Sequence, residues 1–316
     1  MPATTPPFVS ICVLSYNHEP YLRESLDGIV NQVCPFDYEV LIHDDASKDR
    51  SQEIIREYTE RYPARFKPIL QTENQYSKGV KITITYNYPR AQGRYIAICE
   101  GDDYWSDPHK LQKQVEYMEA HPDCSMVYGQ VRHYKQRRQK FGPLWGGASE
   151  TSFERLLEGN CIPTPTVLVR RSVIEDYTRE IAPDAATWRM GDYPLWLYAS
   201  LRGRIHFMEE QLAVYRVLEE SASHFRDFSQ CDRFCRSSYD ICAYFARRYR
   251  PELLERILAN SLWERLYHAI RYRAADQAAE LRRELEARGF SPRTRRERKL
   301  LRKYYLLRLL RALHLR

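Results

Sequence analysis

Along the first half of the chain, apolar and polar positions follow two periods in turn, and the alternation separates strands from helices. Phe8-Val9-Ser10-Ile11-Cys12-Val13-Leu14 is a nearly continuous apolar run rich in β-branched residues, as in a parallel strand buried on both faces. After the polar turn Ser15-Tyr16-Asn17-His18-Glu19-Pro20, residues Leu22, Leu26, Ile29 and Val30 recur at helical spacing. Glu39–His43 reads as the second strand. Ser47-Lys48-Asp49-Arg50-Ser51 then caps a helix whose apolar face is Ile54, Ile55, Tyr58 and Tyr62. Phe66–Leu70 and Tyr95–Cys99 read as the third and fourth strands, and Pro108 opens a helix carrying Leu111, Val115 and Met118. Strand–helix alternation of this kind makes right-handed crossovers and a mostly parallel sheet, so the fold class is α/β.

Beyond Asp123 the pattern is mixed. Cys124–Val131, Thr166–Arg170 and Leu212–Val217 read as strands, and Asp192–Leu201 as a helix. Strand signals end near Ser229. Helical segments follow at about 229–248, 251–273 and 275–288, until Gly289 and Pro292 break the pattern. The expected division is a catalytic domain over 1–225 and a helical region over 226–316.

Carboxylates gather where these apolar segments meet polar turns. The second strand runs into Asp44-Asp45, and the fourth into Glu100-Gly101-Asp102-Asp103; Met190-Gly191 precedes Asp192 at a helix start. The carboxyl ends of buried parallel strands line the crevice where open α/β sheets bind ligands. Clustered carboxylates repel each other unless a cation sits among them. The pattern therefore implies a divalent metal and an anionic ligand that the metal holds.

Composition and charge narrow the picture further. The 316 residues are 43% hydrophobic with 24 tyrosines, which fits a folded chain with a full α/β core. No stretch of about 18 apolar residues occurs, so no spanning helix is expected. The first residues, Met1-Pro2-Ala3-Thr4-Thr5-Pro6-Pro7, lack the basic head and apolar core of a signal peptide. The eight cysteines include no C-x-x-C pair and are expected to be reduced, in a cytoplasmic setting. Charge is uneven: residues 291–316 hold ten Lys or Arg against the one acid Glu297, while the rest is near neutral. Such a tail suits an anionic membrane surface, which would make the protein peripheral on the inner face. No recognised nucleic-acid fold accompanies the charge, so no nucleic acid is expected.

Five segments in order resemble family 2 glycosyltransferases with the GT-A fold. They are Val9–Asn17, Val40–Asp49, Glu100–Trp105 with Pro108 and Leu111, Gly191-Asp192, and Val214-Tyr215-Arg216. The resemblance implies an inverting transfer from a nucleotide-diphosphate sugar, UDP-linked by expectation, to a hydroxyl of a saccharide or lipid-linked saccharide. Its cofactor would be Mn²⁺ or Mg²⁺, held through hard oxygen ligands. By the same resemblance, Asp103 is the direct metal ligand, with Asp102 and Glu100 contacting ribose or metal-bound water; Asp102 counts with both metal and nucleotide. Leu14 and Tyr16 fall in the nucleotide-binding segment. Asp45 accepts a hydrogen bond from the base, Asp44 braces the loop, and His43 is a packed side chain. Gly101 is expected to let backbone approach the ligand. Asp192 matches the catalytic base, with Gly191 a candidate for the acceptor pocket and Trp196 either a part of that pocket or simply core. Two positions depart from the family pattern: Glu100 replaces an Asp, and Leu218 stands where a His is common, with His224 the candidate substitute. A nucleotidyltransferase would need a glycine-rich, basic first loop, which Ser15–Pro20 is not. A silent nucleotide-sugar or polysaccharide-binding subunit would have no use for Asp192.

Overall fold

The computed structural model describes residues 6–181, 187–218 and 225–314. The chain forms two compact units, Met1–Thr187 with Pro194–Glu219, and Trp188–Tyr193 with Glu220–Arg316.

The first unit is built on a sheet of nine strands among the described residues. Four of them, β1 (Val9–Ser15), β2 (Tyr38–Asp44), β3 (Ile69–Leu70) and β4 (Tyr95–Glu100), form a parallel block in the order β3-β2-β1-β4. Their apolar runs are buried on both faces, as Val9, Ile11, Val13, Val40, Ile42, Tyr95 and Ala97 all show. Helices α1 (Glu19–Val30) and α2 (Ser51–Arg61) bury Leu22, Leu26, Ile29, Ile54, Ile55 and Tyr58 against this block. Each such side chain contributes about 1.5–3 kcal/mol of burial. The register pairs Leu14 with both His43 and Glu100, and Ser15 with Asp44. The polar turns after β1, β2 and β4 therefore open from one edge of the sheet.

The remaining strands are β5 (Tyr104–Trp105), β6 (Cys124–Lys135), β7 (Lys140–Trp145), β8 (Leu168–Arg170) and β9 (Arg204–Val217). The sheet continues from β4 through antiparallel β8 to β6, β9 and β5, with β7 paired to β6. Several expected boundaries shift for local reasons. Phe66 makes only an isolated bridge to Val40, and between that bridge and Ile69 the Arg90 guanidinium donates to the Lys67 and Ile42 carbonyls. Thr164–Thr166 forms a 3₁₀ turn around Pro165, so the strand expected from Thr166 begins at Leu168. The strand expected at Leu212 begins at Arg204, because its first half pairs with β6. Helices α3 (Lys110–Ala120), α4 (Phe153–Glu158), α5 (Arg171–Ile181) and α6 (Tyr193–Arg202) complete the middle of the chain.

The second unit is helical: α7 (Phe228–Tyr249), α8 (Leu254–Arg271), α9 (Ala275–Ala287) and α10 (Arg295–His314). Its core gathers Leu262, Leu266, Ala269, Leu281 and Leu285, and α10 adds Leu300 and Tyr304 to it. Tyr305, Leu306, Leu307 and Leu309 of α10 are exposed. Among the described residues no helix is long and apolar enough to cross a membrane.

Candidate active site

The turn after β2 is held by its own acids. Asp44 is fully buried and accepts the Ser47 N–H at 2.9 Å, the Ser47 hydroxyl, and the Gln52 amide at 2.9 Å. That is the bracing role expected of it. Asp45 is also buried, and its two oxygens accept the backbone N–H groups of Gln75 at 2.8 Å and Tyr76 at 3.0 Å. Directly after the two aspartates, Ala46 has a left-handed φ of 64°, which turns the chain sharply. The β1 turn is stitched alongside: Asn17 donates its N–H to the Ser47 hydroxyl and accepts the Lys48 N–H, both at 2.8 Å.

These residues border a cleft of about 900 Å³, lined by Tyr16, Asp45, Lys48, Gln71, Asn74 and Tyr76 among others. Tyr16, one of the lining residues, is 42% exposed. Asn74 went unnoticed in the sequence because it lies in an irregular stretch; its amide donates to the Asp45 carbonyl at 3.1 Å. His43 is packed, as expected. Its ring lies 4.7 Å from that of Tyr86, burial lowers its pKa, and its Nε2 is 3.8 Å from Asp45 Oδ1, too far for a hydrogen bond.

The turn after β4 has a different character. Asp103 is 2% exposed; its Oδ1 accepts the Arg216 N–H at 2.7 Å, and its Oδ2 is buried with no hydrogen-bond partner. Burial first, then the charges of Asp102 and Glu100, raise its pKa well above the usual carboxylate range. Glu100 and Asp102 are half-buried beside it. Arg216, whose role was not foreseen, delivers no charge-assisted bond to these carboxylates. Its Nε donates to the Asp102 carbonyl at 2.8 Å, its other nitrogens to Gln136 and Glu24, and it lies over the rings of Tyr21, Tyr104 and Tyr134. Lys110, fully buried below the turn, gives its ammonium to Gln114 at 2.8 Å and to the face of Trp105 at 4.1 Å. Burial pushes its pKa down to about 7. Hard oxygen donors, mutual repulsion and an orphaned buried carboxylate oxygen are what a divalent cation would complement.

Gly101 also answers a packing need inside the turn. A Cβ there would lie 2.8 Å from His18 Nδ1, 3.0 Å from the Leu14 carbonyl and 3.1 Å from Leu22. The glycine lets the turn pack inward onto β1 and α1, where the Leu14 carbonyl accepts the Gly101 N–H at 2.8 Å. Trp196 is fully buried and belongs to the core rather than to an acceptor pocket. The structure thus brings Tyr16 and Asp45 together in the cleft, and Leu14, Glu100, Asp102 and Asp103 together around the β4 turn. Asp192 falls in the short 188–193 stretch assigned to the other unit and accepts the N–H of Tyr193, the next residue, at 2.7 Å. Leu218 is described, whereas His224 lies outside the described residues.

Residues 10–178 match Glycosyl transferase family 2. An uncharacterized protein of Mycobacterium tuberculosis is 39% identical over 213 residues, which is 66% of this chain and 58% of the relative. The chain thus spans under two thirds of that relative's length. Among solved structures, a mannosyltransferase from Pyrobaculum calidifontis in complex with GDP-Man and Mn²⁺ aligns with a TM-score of 0.59 at 17% identity, covering 97% of this chain and 81% of that one. S. aureus TarS in complex with UDP-GlcNAc aligns with a TM-score of 0.53 at 17% identity, over 82% and 81%. These two likenesses concern the fold.

Proposed function

Because the chain belongs to Glycosyl transferase family 2, we propose that it transfers a sugar, with inversion, from a nucleotide-diphosphate donor to a saccharide or lipid-linked saccharide hydroxyl. The observation that carries this reading is the β4 turn, where Asp103 Oδ2 is buried without a partner beside Asp102 and Glu100. Asp103 and Asp102 would hold Mn²⁺ or Mg²⁺, and the bound cation would neutralise charge growing on the departing diphosphate. Glu100 and Leu14 would border the ribose. Tyr16 presents its ring to the base, a uracil in this reading. Asp45 addresses the base with lone pairs left over from its two backbone bonds, since each carboxylate oxygen can accept twice. Asp192 would take the proton of the acceptor hydroxyl as the new bond forms. In this reading residues 1–225 are the catalytic domain and 226–316 a helical region. The relatives support a nucleotide-sugar donor, since the solved neighbours carry UDP-GlcNAc or GDP-Man.

Calorimetry with UDP and Mn²⁺, paired with donor-turnover assays, tests the assignment. Asp192→Asn should keep the UDP affinity of the parent while kcat falls on the order of 10²–10⁴-fold, the range for a lost general base. Matching losses of UDP affinity and turnover would remove Asp192 from the acceptor side.

Exposed Tyr305, Leu306, Leu307 and Leu309 stand among Arg302, Lys303 and Arg308 on α10. That mixture supports docking of residues 291–316 on an anionic cytoplasmic membrane face. Co-sedimentation with anionic vesicles should weaken at high salt and vanish on truncation after Gly289. Undiminished binding of the truncated chain would end this part of the proposal.

A further inference from the structure

Within the second unit, α7 carries Cys231 and Cys235 one helical turn apart, on the face that packs against α8. His268 of α8 meets them there: the two sulfurs and an imidazole nitrogen all lie within 4.8 Å of one another. Both cysteines are buried and are not in disulfides. The orientation of His268 is the informative part. Its Nε2 lies 3.3 Å from Glu264 Oε1, one turn earlier on α8, while its Nδ1 is buried with no hydrogen-bond partner. Glu264 is fixed in turn by Arg296 of α10, at 3.2 Å from its Oε2. A histidine with one nitrogen on a carboxylate and the other held bare is arranged like a metal ligand with its supporting shell, because the carboxylate sets the tautomer and sharpens the basicity of the opposite nitrogen.

We propose that Cys231 Sγ, Cys235 Sγ and His268 Nδ1 form a zinc site, with Glu264 as the residue that orients the imidazole. Two thiolates and one imidazole are a borderline-soft set that favours Zn²⁺ over Mg²⁺ or Mn²⁺. The site is therefore chemically distinct from the all-oxygen turn after β4. Bonds of about 2.0–2.3 Å in a tetrahedron space the ligand atoms roughly 3.5–3.8 Å apart, so side-chain adjustments of about 1 Å close the set. On binding, each cysteine loses its proton to solvent, two S–Zn bonds and one N–Zn bond form, and no electron is transferred. The fourth position is left for water. In the fold, the ion would tie α7 to α8 and, through Glu264 and Arg296, set the start of α10.

The full chain, expressed with zinc and dialysed, should hold one zinc that survives Asp102→Asn. Cys231→Ser combined with Cys235→Ser should remove it, and Glu264→Gln should weaken zinc affinity about ten- to hundredfold. Replacing zinc with Co²⁺ in the native chain should produce the sulfur-to-cobalt charge-transfer band in the near ultraviolet. Zinc content unchanged in the double serine variant would mark the ion as adventitious and overturn the site. Should that variant fail to fold, the native chain decides, and absence of the cobalt band overturns the proposal.

Discussion

The turns that end β2 and β4 open at the same edge of the sheet, from strands that both pair in parallel with β1, and both carry adjacent aspartates. After β2, Asp44 and Asp45 collect donors from Ser47, Gln52, Gln75 and Tyr76. After β4, Asp103 has one backbone donor and one orphaned oxygen, and the cations close by are committed elsewhere: Arg216 to a carbonyl, Gln136 and Glu24, and Lys110 to Gln114. Like residues at like positions thus serve opposite ends. One pair builds its loop, while the other cluster crowds two half-buried acids around one orphaned carboxylate oxygen, which makes the Asp103 charge costly. The lesson concerns donors more than acids: the difference lies in what the following segment brings back to each turn.

The largest effect should come from relieving that charge artificially. Asp103→Asn keeps an oxygen for the Arg216 N–H and removes the buried charge. The metal-free protein should therefore melt no lower than the parent, while turnover falls ~10²–10³-fold, or about 3–4 kcal/mol of barrier. Melting curves with and without Mn²⁺ should show a metal-induced rise in the parent and none in the variant. Parental activity of Asp103→Asn in EDTA would erase the contrast between the turns. Next in size, Asp45→Ala removes the acceptor of two backbone N–H groups and loosens the 74–78 segment. UDP affinity should drop by roughly 1.5–3 kcal/mol, read by calorimetry; unchanged affinity would show that the satisfied turn does not shape a nucleotide site.

The smallest effect is a slope with pH. Lys110 titrates near 7 in the folded protein against its ordinary 10.5. Between those values the unfolded chain binds the extra proton, so this group makes stability rise with pH, by no more than about 1.4 kcal/mol per pH unit. Denaturant titrations of parent and Lys110→Met from pH 7 to 9 should show the parent gaining on the variant at each step. Parallel curves would mean that the lysine beneath the β4 turn carries no strained charge.

The site was legible in the sequence where chemistry sits at the end of a patterned element. Val40–His43 into Asp44-Asp45, and Tyr95–Cys99 into Glu100–Asp103, mark strand ends by an abrupt change from apolar to acidic residues. Asn74 was not legible, because nothing periodic surrounds it between Leu70 and Ile82. The bond from Arg216 to Asp103 was invisible for another reason: it joins segments 113 residues apart, and only the pairing of β5 with β9 brings them together. The two-residue strands β3 and β5 lie below the length at which alternation can be recognised. Strand β7 contains Gly142 and Pro143 and leaves Phe141, Leu144 and Trp145 exposed, so its pattern does not announce a buried face.

That 113-residue reach also sets a schedule for synthesis. The bonds from Asp45 to Gln75 and Tyr76 span 30 and 31 residues, so the cleft beside Asp45 can close soon after its own segment leaves the ribosome. Asp103 must wait for Arg216. At translation speeds of about 5–20 residues per second, the nascent chain spends on the order of 10 seconds with an assembled cleft and an unfinished acidic turn. A growing chain can therefore complete the cleft beside Asp45 while the acidic turn after β4 still lacks the strand that finishes it.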